Sequence, residues 1–130
     1  MKFYISSRTS KLDEVKRMYK KLKNHGHEVI FDWTKKSSLK PYSKNEILIQ
    51  KYSYKVIKSI INSDVYVLLG DSGGTDMYGE LASAITSKEI FGKPLIYLIG
   101  EKGENSIFPF HKFVKHKSSI EEILEDIKIN

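Results

Sequence analysis

The chain has 130 residues, enough for one domain with a single core. Hydrophobic residues make up 40% and charged residues 29%, which excludes a disordered or fibrous chain. There is no cysteine, so disulfides, thiolate metal sites and a cysteine nucleophile are excluded, and the longest apolar runs, such as Val65 to Leu69, are too short to span a bilayer. No charged-then-apolar leader opens the sequence, and a soluble, cytoplasmic protein is expected.

The formal net charge of +6 is unevenly distributed. Residues 1 to 60 carry 15 basic and 5 acidic side chains, and residues 61 to 130 carry 7 and 11. A basic half of this kind steers small anions as readily as nucleic acid. The lysines between Lys16 and Lys23 interleave with Leu12, Val15, Met18, Tyr19 and Leu22 at helical spacing, which makes most of them the solvated face of an amphipathic helix. A nucleic-acid partner is not expected.

Lys2 to Ser6 is a short apolar run with aromatic and β-branched residues, ended by the turn formers Ser7 to Ser10, and predicts a first strand. A helix follows from about Lys11 to Asn24-His25-Gly26, with Gly26 suited to a left-handed close. His27 to Trp33 predicts the second strand, and Asn45 to Asn62 a second helix with Ile49, Tyr52, Val56, Ile57 and Ile60 roughly on one face. Asp64 to Gly70, uniformly apolar after its first residue, predicts a strand covered on both sides. After the loop Asp71 to Asp76, a helix is expected from Met77 to Phe91, stopped by Gly92-Lys93-Pro94, and then a strand from Leu95 to Gly100. A fifth strand within Phe110 to Lys115 and a last helix capped by Ser118 complete the pattern. The alternation implies a single α/β domain over residues 1 to 130. Its architecture is doubly wound, flavodoxin-like or Rossmann-like, with a mainly parallel sheet of four to five strands and helices on both faces.

Sheets of this type bind ligands outside the carboxyl ends of their strands. Those ends carry Ser6-Ser7-Arg8, Asp32-Trp33, Gly70 to Thr75 and Gly100. Gly73 and Gly74 permit close backbone approach, and the helix start at Thr75 or Asp76 suits an anion. Glu80 follows about one turn into that helix, where the dipole favours the ionised carboxylate that a nucleophile requires. The same residues are equally those of a turn, a cap and a dipole-complementing glutamate. Asp71-Ser72-Gly73-Gly74-Thr75 lacks the Gly-Lys-Ser/Thr ending of a P-loop, and Asp71 lacks the acidic partners of a phosphoacceptor. His25, His27, His111 and His116 have no zinc-ligand spacing, so neither a metal nor a cofactor is expected. Trp33 is a core residue or a base-stacking platform.

The Asp-led apolar strand, the Gly/Ser/Thr loop and Tyr78-Gly79-Glu80-Leu81-Ala82-Ser83-Ala84, followed by Gly92-Lys93-Pro94 and another apolar strand, resemble the nucleoside 2-deoxyribosyltransferase family. They are similar also to the related 2'-deoxynucleoside 5'-phosphate N-hydrolases, whose first strand and serine/arginine loop Phe3 to Arg8 resembles. The resemblance covers strands 1 to 4. It implies that Glu80 attacks C1' of a (deoxy)ribosyl group while the base leaves, which is retaining glycoside chemistry. It also implies that Ser7, Arg8 and Ser72 to Thr75 hold a 5'-phosphate or hydroxyl, that Asp71 or Asp76 serves the base, and that the small-molecule nucleoside or nucleotide binds a homo-oligomer. Helix 2, with Tyr52, Tyr54, Ile57 and Ile61 spread over more than one face, would supply the interface, and a tyrosine-rich helix buried within the monomer would look the same. Two positions depart from the pattern: Val56 stands where an acid holds the sugar, and Phe3 aligns with the tyrosine that orients the nucleophile, Tyr4 pointing to the opposite face. A non-catalytic nucleotide sensor and a TIR-like NAD glycohydrolase are the alternative readings.

Overall fold

A computed structural model describes residues 1–35 and 37–129. Among the described residues, five strands form one parallel sheet in the order β2-β1-β3-β4-β5: β1 (Lys2–Ser6), β2 (Glu28–Val29), β3 (Val65–Gly70), β4 (Leu95–Gly100) and β5 (Val114–Lys117). This is the flavodoxin-like order, whose switch point lies between β1 and β3. The α-helices are α1 (Leu12–Asn24), α2 (Glu46–Asn62), α3 (Asp76–Phe91) and α4 (Ile120–Ile129). A helix that crosses from β1 outward to β2 and one that returns from β2 to β3 must lie on opposite faces if both crossovers are right-handed. Accordingly, α2 packs beside α3, while Lys21 of α1 forms an ion pair with Glu121 of α4.

Strand register assigns the core to these two faces. Tyr4 pairs with Tyr66 and Ser6 with Leu68, and Tyr66 and Leu68 pair with Ile96 and Leu98. That face meets α3, as the Tyr66 hydroxyl directed at the Met77 carbonyl shows. Ile5, Val67 and Tyr97 share the other face, where the Tyr97 hydroxyl donates to Asp126 of α4 at 2.6 Å. All six residues of β3 are buried, as its unbroken apolar run requires.

Three boundaries differ from those expected. The second strand is two residues long instead of running to Trp33. Ile30 N–H still reaches the Phe3 carbonyl, but the next acceptor along β1, Ile5 O, takes its hydrogen bond from the Trp33 indole at 2.7 Å, so a side chain replaces the ladder. The fifth strand begins at Val114 because Phe108–Phe110 closes a 3-10 turn over buried Pro109. The cap of α4 comes from Ser119 rather than Ser118: Ser119 Oγ accepts from the Glu122 N–H while the Glu122 carboxylate takes the Ser118 N–H.

Gly70 and Gly100 end β3 and β4 as register partners. A Cβ on Gly70 would lie 1.9 Å from the Glu101 carbonyl oxygen, so only glycine lets the two strand ends approach this closely. The loop after β3 is thereby set against the loop after β4, and Asn105 of the second donates to the Ser72 carbonyl of the first. Gly103 extends the seam with φ +71, its Cα facing the Asp71 carbonyl.

Candidate active site

The period-two geometry of β1 puts Tyr4 and Ser6 on the face that meets α3, both buried and both near the carboxyl edge of the sheet. Glu80 lies one turn into α3 and turns inward to meet them. Its Oε1 accepts from the Ser6 hydroxyl at 2.6 Å and from the Tyr4 phenol at 2.9 Å. Neither bond involves Oε2. Burial pushes the Glu80 carboxyl above the ordinary carboxylate range, the two hydroxyl donors pull it down, and the charge of Asp76, one turn earlier, adds to the rise. Burial and the adjoining Glu80 charge hold Tyr4 far above the usual phenol range, so it stays a donor.

This arrangement corrects the sequence alignment at the first strand. Phe3 does not face Glu80; it packs on the opposite side, its ring 5.1 Å from that of His27. Tyr4 is the residue that orients Glu80, and its ring stacks on Tyr66 at 6.0 Å. Ser6, one of the residues the sequence places at the ligand-binding edge of the sheet, is the second donor.

The loops at the switch point form a second cluster. Asp71 accepts from the Gly73 N–H at 2.8 Å and pairs with Arg8 at 3.2 Å and Lys11 at 3.5 Å. These partners, the Gly73 N–H foremost, hold its carboxyl below the usual range. Lys11 also donates to the Gly70 carbonyl at 2.9 Å. Arg8 lies across the glycine pair: a Cβ on Gly73 would come within 2.7 Å of its Nη1, and one on Gly74, where φ is +87, within 3.1 Å of its Cγ. The glycines thus make room for the guanidinium. Tyr78 ties the loop to its own helix by donating to the Asp71 carbonyl at 2.5 Å.

Of the other expected residues, Ser7 donates to the Arg8 carbonyl, Thr75 occupies the N-cap of α3 without a side-chain capping bond, and Asp76 is exposed in the first turn. Trp33 does not join them. It is 8% exposed, belongs to the core, and its indole N–H is already given to Ile5, which removes it as a stacking platform. Val56 is also a buried core residue. One turn earlier on α2 stands Tyr52: burial, Glu80 and Asp76 together push its phenol up to about 12, and its ring meets Phe31 edge-on at 5.7 Å. Lys11 and Tyr52 carry no motif in the sequence, but Tyr4 and Ser6 can be found by asking which residues of β1 alternate onto one face.

Among the described residues no group of three His, Cys, Asp or Glu side chains could hold a metal ion, and no helix is long and apolar enough to cross a membrane.

No protein-family model matches the sequence, and no curated protein does. Among solved structures the chain is similar to a CMP N-glycosidase of Clostridium botulinum, BcmB, with a TM-score of 0.62 over 98% of this chain and 99% of that one. Sequence identity is 12%, so the likeness establishes the shared fold.

Proposed function

We propose that the chain is an N-glycosidase of nucleoside 5'-monophosphates with Glu80 as its nucleophile. The observation that carries this reading is the pair of hydroxyls on Glu80 Oε1, which fixes the carboxylate and leaves Oε2 to attack. Oε2 forms a bond to C1' as the bond from C1' to the base nitrogen breaks, and the bonding pair leaves with the base. Water then attacks C1' of the glycosyl-enzyme, releasing the sugar phosphate and restoring the carboxylate. Asp76 is the better of the two aspartates to serve the leaving base, because it shares the helical face of Glu80 at a spacing of four residues, whereas Asp71 is held ionised by Arg8, Lys11 and the Gly73 N–H. Arg8 and Lys11 are the cations for the 5'-phosphate, with Ser7 and the Ser72 to Thr75 loop beside them. Phe31 and Tyr52 take the stacking role in place of Trp33. The monophosphate agrees with the CMP named for the structural neighbour. A homo-oligomer remains part of this reading, with exposed Tyr54 and Ile57 of α2 at its interface.

The test is incubation with a panel of ribo- and deoxyribonucleosides, their 5'-monophosphates and NAD, with free base followed by chromatography. Base release from a monophosphate that disappears in Glu80→Ala supports the proposal. Release from NAD alone would replace it with the NAD glycohydrolase. Buried Val56, which leaves α2 without an acid for the sugar, is the observation that favours a sensor, and thermal stabilisation by a nucleotide without base release would establish that reading.

A further inference from the structure

The lysines of α1 do more in the folded chain than face solvent. Lys16, Lys20 and Lys23, at positions that share one helical face, border a groove of about 450 Å³, and Lys35 on the turn after β2 lines it as well. Among the described residues, Lys16, Lys20 and Lys23 make no ion pair within 4.0 Å. Among those same residues, Asp32 is the one acid lining the groove. One of its oxygens is occupied by the Thr34 N–H and hydroxyl, and the other lies 3.9 Å from Lys35. Four cations and one carboxylate therefore line the groove.

Tyr19 also lines this groove. Its side chain is 4% exposed, and its hydroxyl is buried with no hydrogen-bond partner among the described residues. A buried donor without a partner is uncommon enough to require an explanation, and an acceptor supplied from outside is one. Burial, and after it the charges of Asp32, Tyr52 and Glu80 in turn, push that phenol far above its usual range.

We infer that this groove binds a small anion with two or more phosphate groups, the four lysines taking charged oxygens and the Tyr19 hydroxyl donating to one at the floor. Lysine binds phosphate as a point charge, and the three helix lysines span about 10 Å along α1, longer than a single phosphate. The volume is that of a small-ligand site. A nucleic-acid strand fits less well, because the aromatic ring that Tyr19 brings to the groove is buried edge and face, leaving no platform for a base. Among the described residues, none of the lining side chains hydrogen-bonds or ion-pairs with Glu80 or Arg8.

The experiment is an NMR titration of the labelled protein with inorganic tripolyphosphate, with sodium sulfate at matched ionic strength as control. Shifts are expected to cluster at Lys16 to Asn24 and Asp32 to Lys35 and to persist in Arg8→Ala. The double variant Lys20→Gln/Lys23→Gln, altered only at exposed positions, should need at least about tenfold more ligand, since charge-assisted bonds of this kind are each worth about that factor. Tyr19→Phe should bind more weakly while melting no lower, because it removes an unpartnered hydroxyl. Equal titration of the double variant, equal shifts with sulfate, or shifts confined to Arg8 and the loop after β3 would each overturn the proposal. Tighter binding of a single-stranded oligonucleotide through the same lysines would overturn it in favour of nucleic acid.

Discussion

Ser6 and Glu80 lie 74 positions apart in the sequence and 2.6 Å apart in the fold, joined by a hydroxyl donated from β1 to a helical carboxylate. The Tyr4 phenol reaches the same oxygen from the same face of β1. Both bonds favour the charged form of a carboxyl that burial disfavours. In Ser6→Ala or Tyr4→Phe one of those supports is lost, so the Glu80 pKa should rise and the acid limb of kcat/KM should move to higher pH. The plateau rate should fall about ten- to a hundredfold, the value of one hydrogen bond to a charged group. A limb that stays in place in both variants would show that another group controls it.

Stability should respond to Glu80 in the opposite sense. Its folded pKa lies above the unfolded one, so the native state binds more protons in the interval between them and stability falls as pH rises through that interval. Glu80→Gln keeps an oxygen for both hydroxyls and carries no charge. It should therefore melt higher than wild type at pH 7, with the difference fading toward pH 4. Melting curves at the two pH values are the measurement, and a gain that grows in acid would contradict the assignment.

Arg8 and Lys11 are both paired with Asp71. Arg8→Ala should weaken a nucleoside monophosphate about tenfold more than its nucleoside, the discrimination expected of one cation on a phosphate. Asp71→Asn releases both cations and should tighten the monophosphate. Calorimetric titration with the matched pair of ligands reads both effects, and equal losses for the two ligands in Arg8→Ala would remove the phosphate role.

Two glycines near the site should behave in opposite ways. Gly70→Ala places a methyl 1.9 Å from a carbonyl oxygen of backbone and should cost about 2 kcal/mol or more, as overpacked sites do. Gly79 lies inside α3, where an added Cβ would meet nothing within 4 Å, and Gly79→Ala should stabilise by up to about 1 kcal/mol through helix propensity. Denaturant unfolding distinguishes them.

The sheet and its helices are legible in the sequence because β3 is a continuous apolar run and the strands alternate with helices, two of them closed by Gly26 and Gly92. Glu80 as a candidate is legible from its place in α3 and from the motif around it. Its supports are not, and the reason is geometrical. Moving an alignment on β1 by one residue exchanges the faces of the strand, and which face meets α3 is fixed by strand order, a property that no local window contains. Trp33 escapes a local reading for a related reason. Its indole completes the ladder that β2 abandons, and only the tertiary position of Ile5 reveals that acceptor. Lys11 and Tyr52 enter the site from segments whose sequences look ordinary.

The two hydroxyls that position Glu80 belong to β1, which lies between β2 and β3 and is buried from Phe3 to Ser6. Elements of this kind open only with the whole molecule, whereas surface loops open by local fluctuation. Amide exchange should therefore divide the site in two. The N–H groups of Tyr4 and Ile5 should be among the last to exchange, and those of Ser72 to Thr75 among the first. Glu80 would then keep its alignment through every motion short of unfolding, while the loop after β3 remains free to open and close.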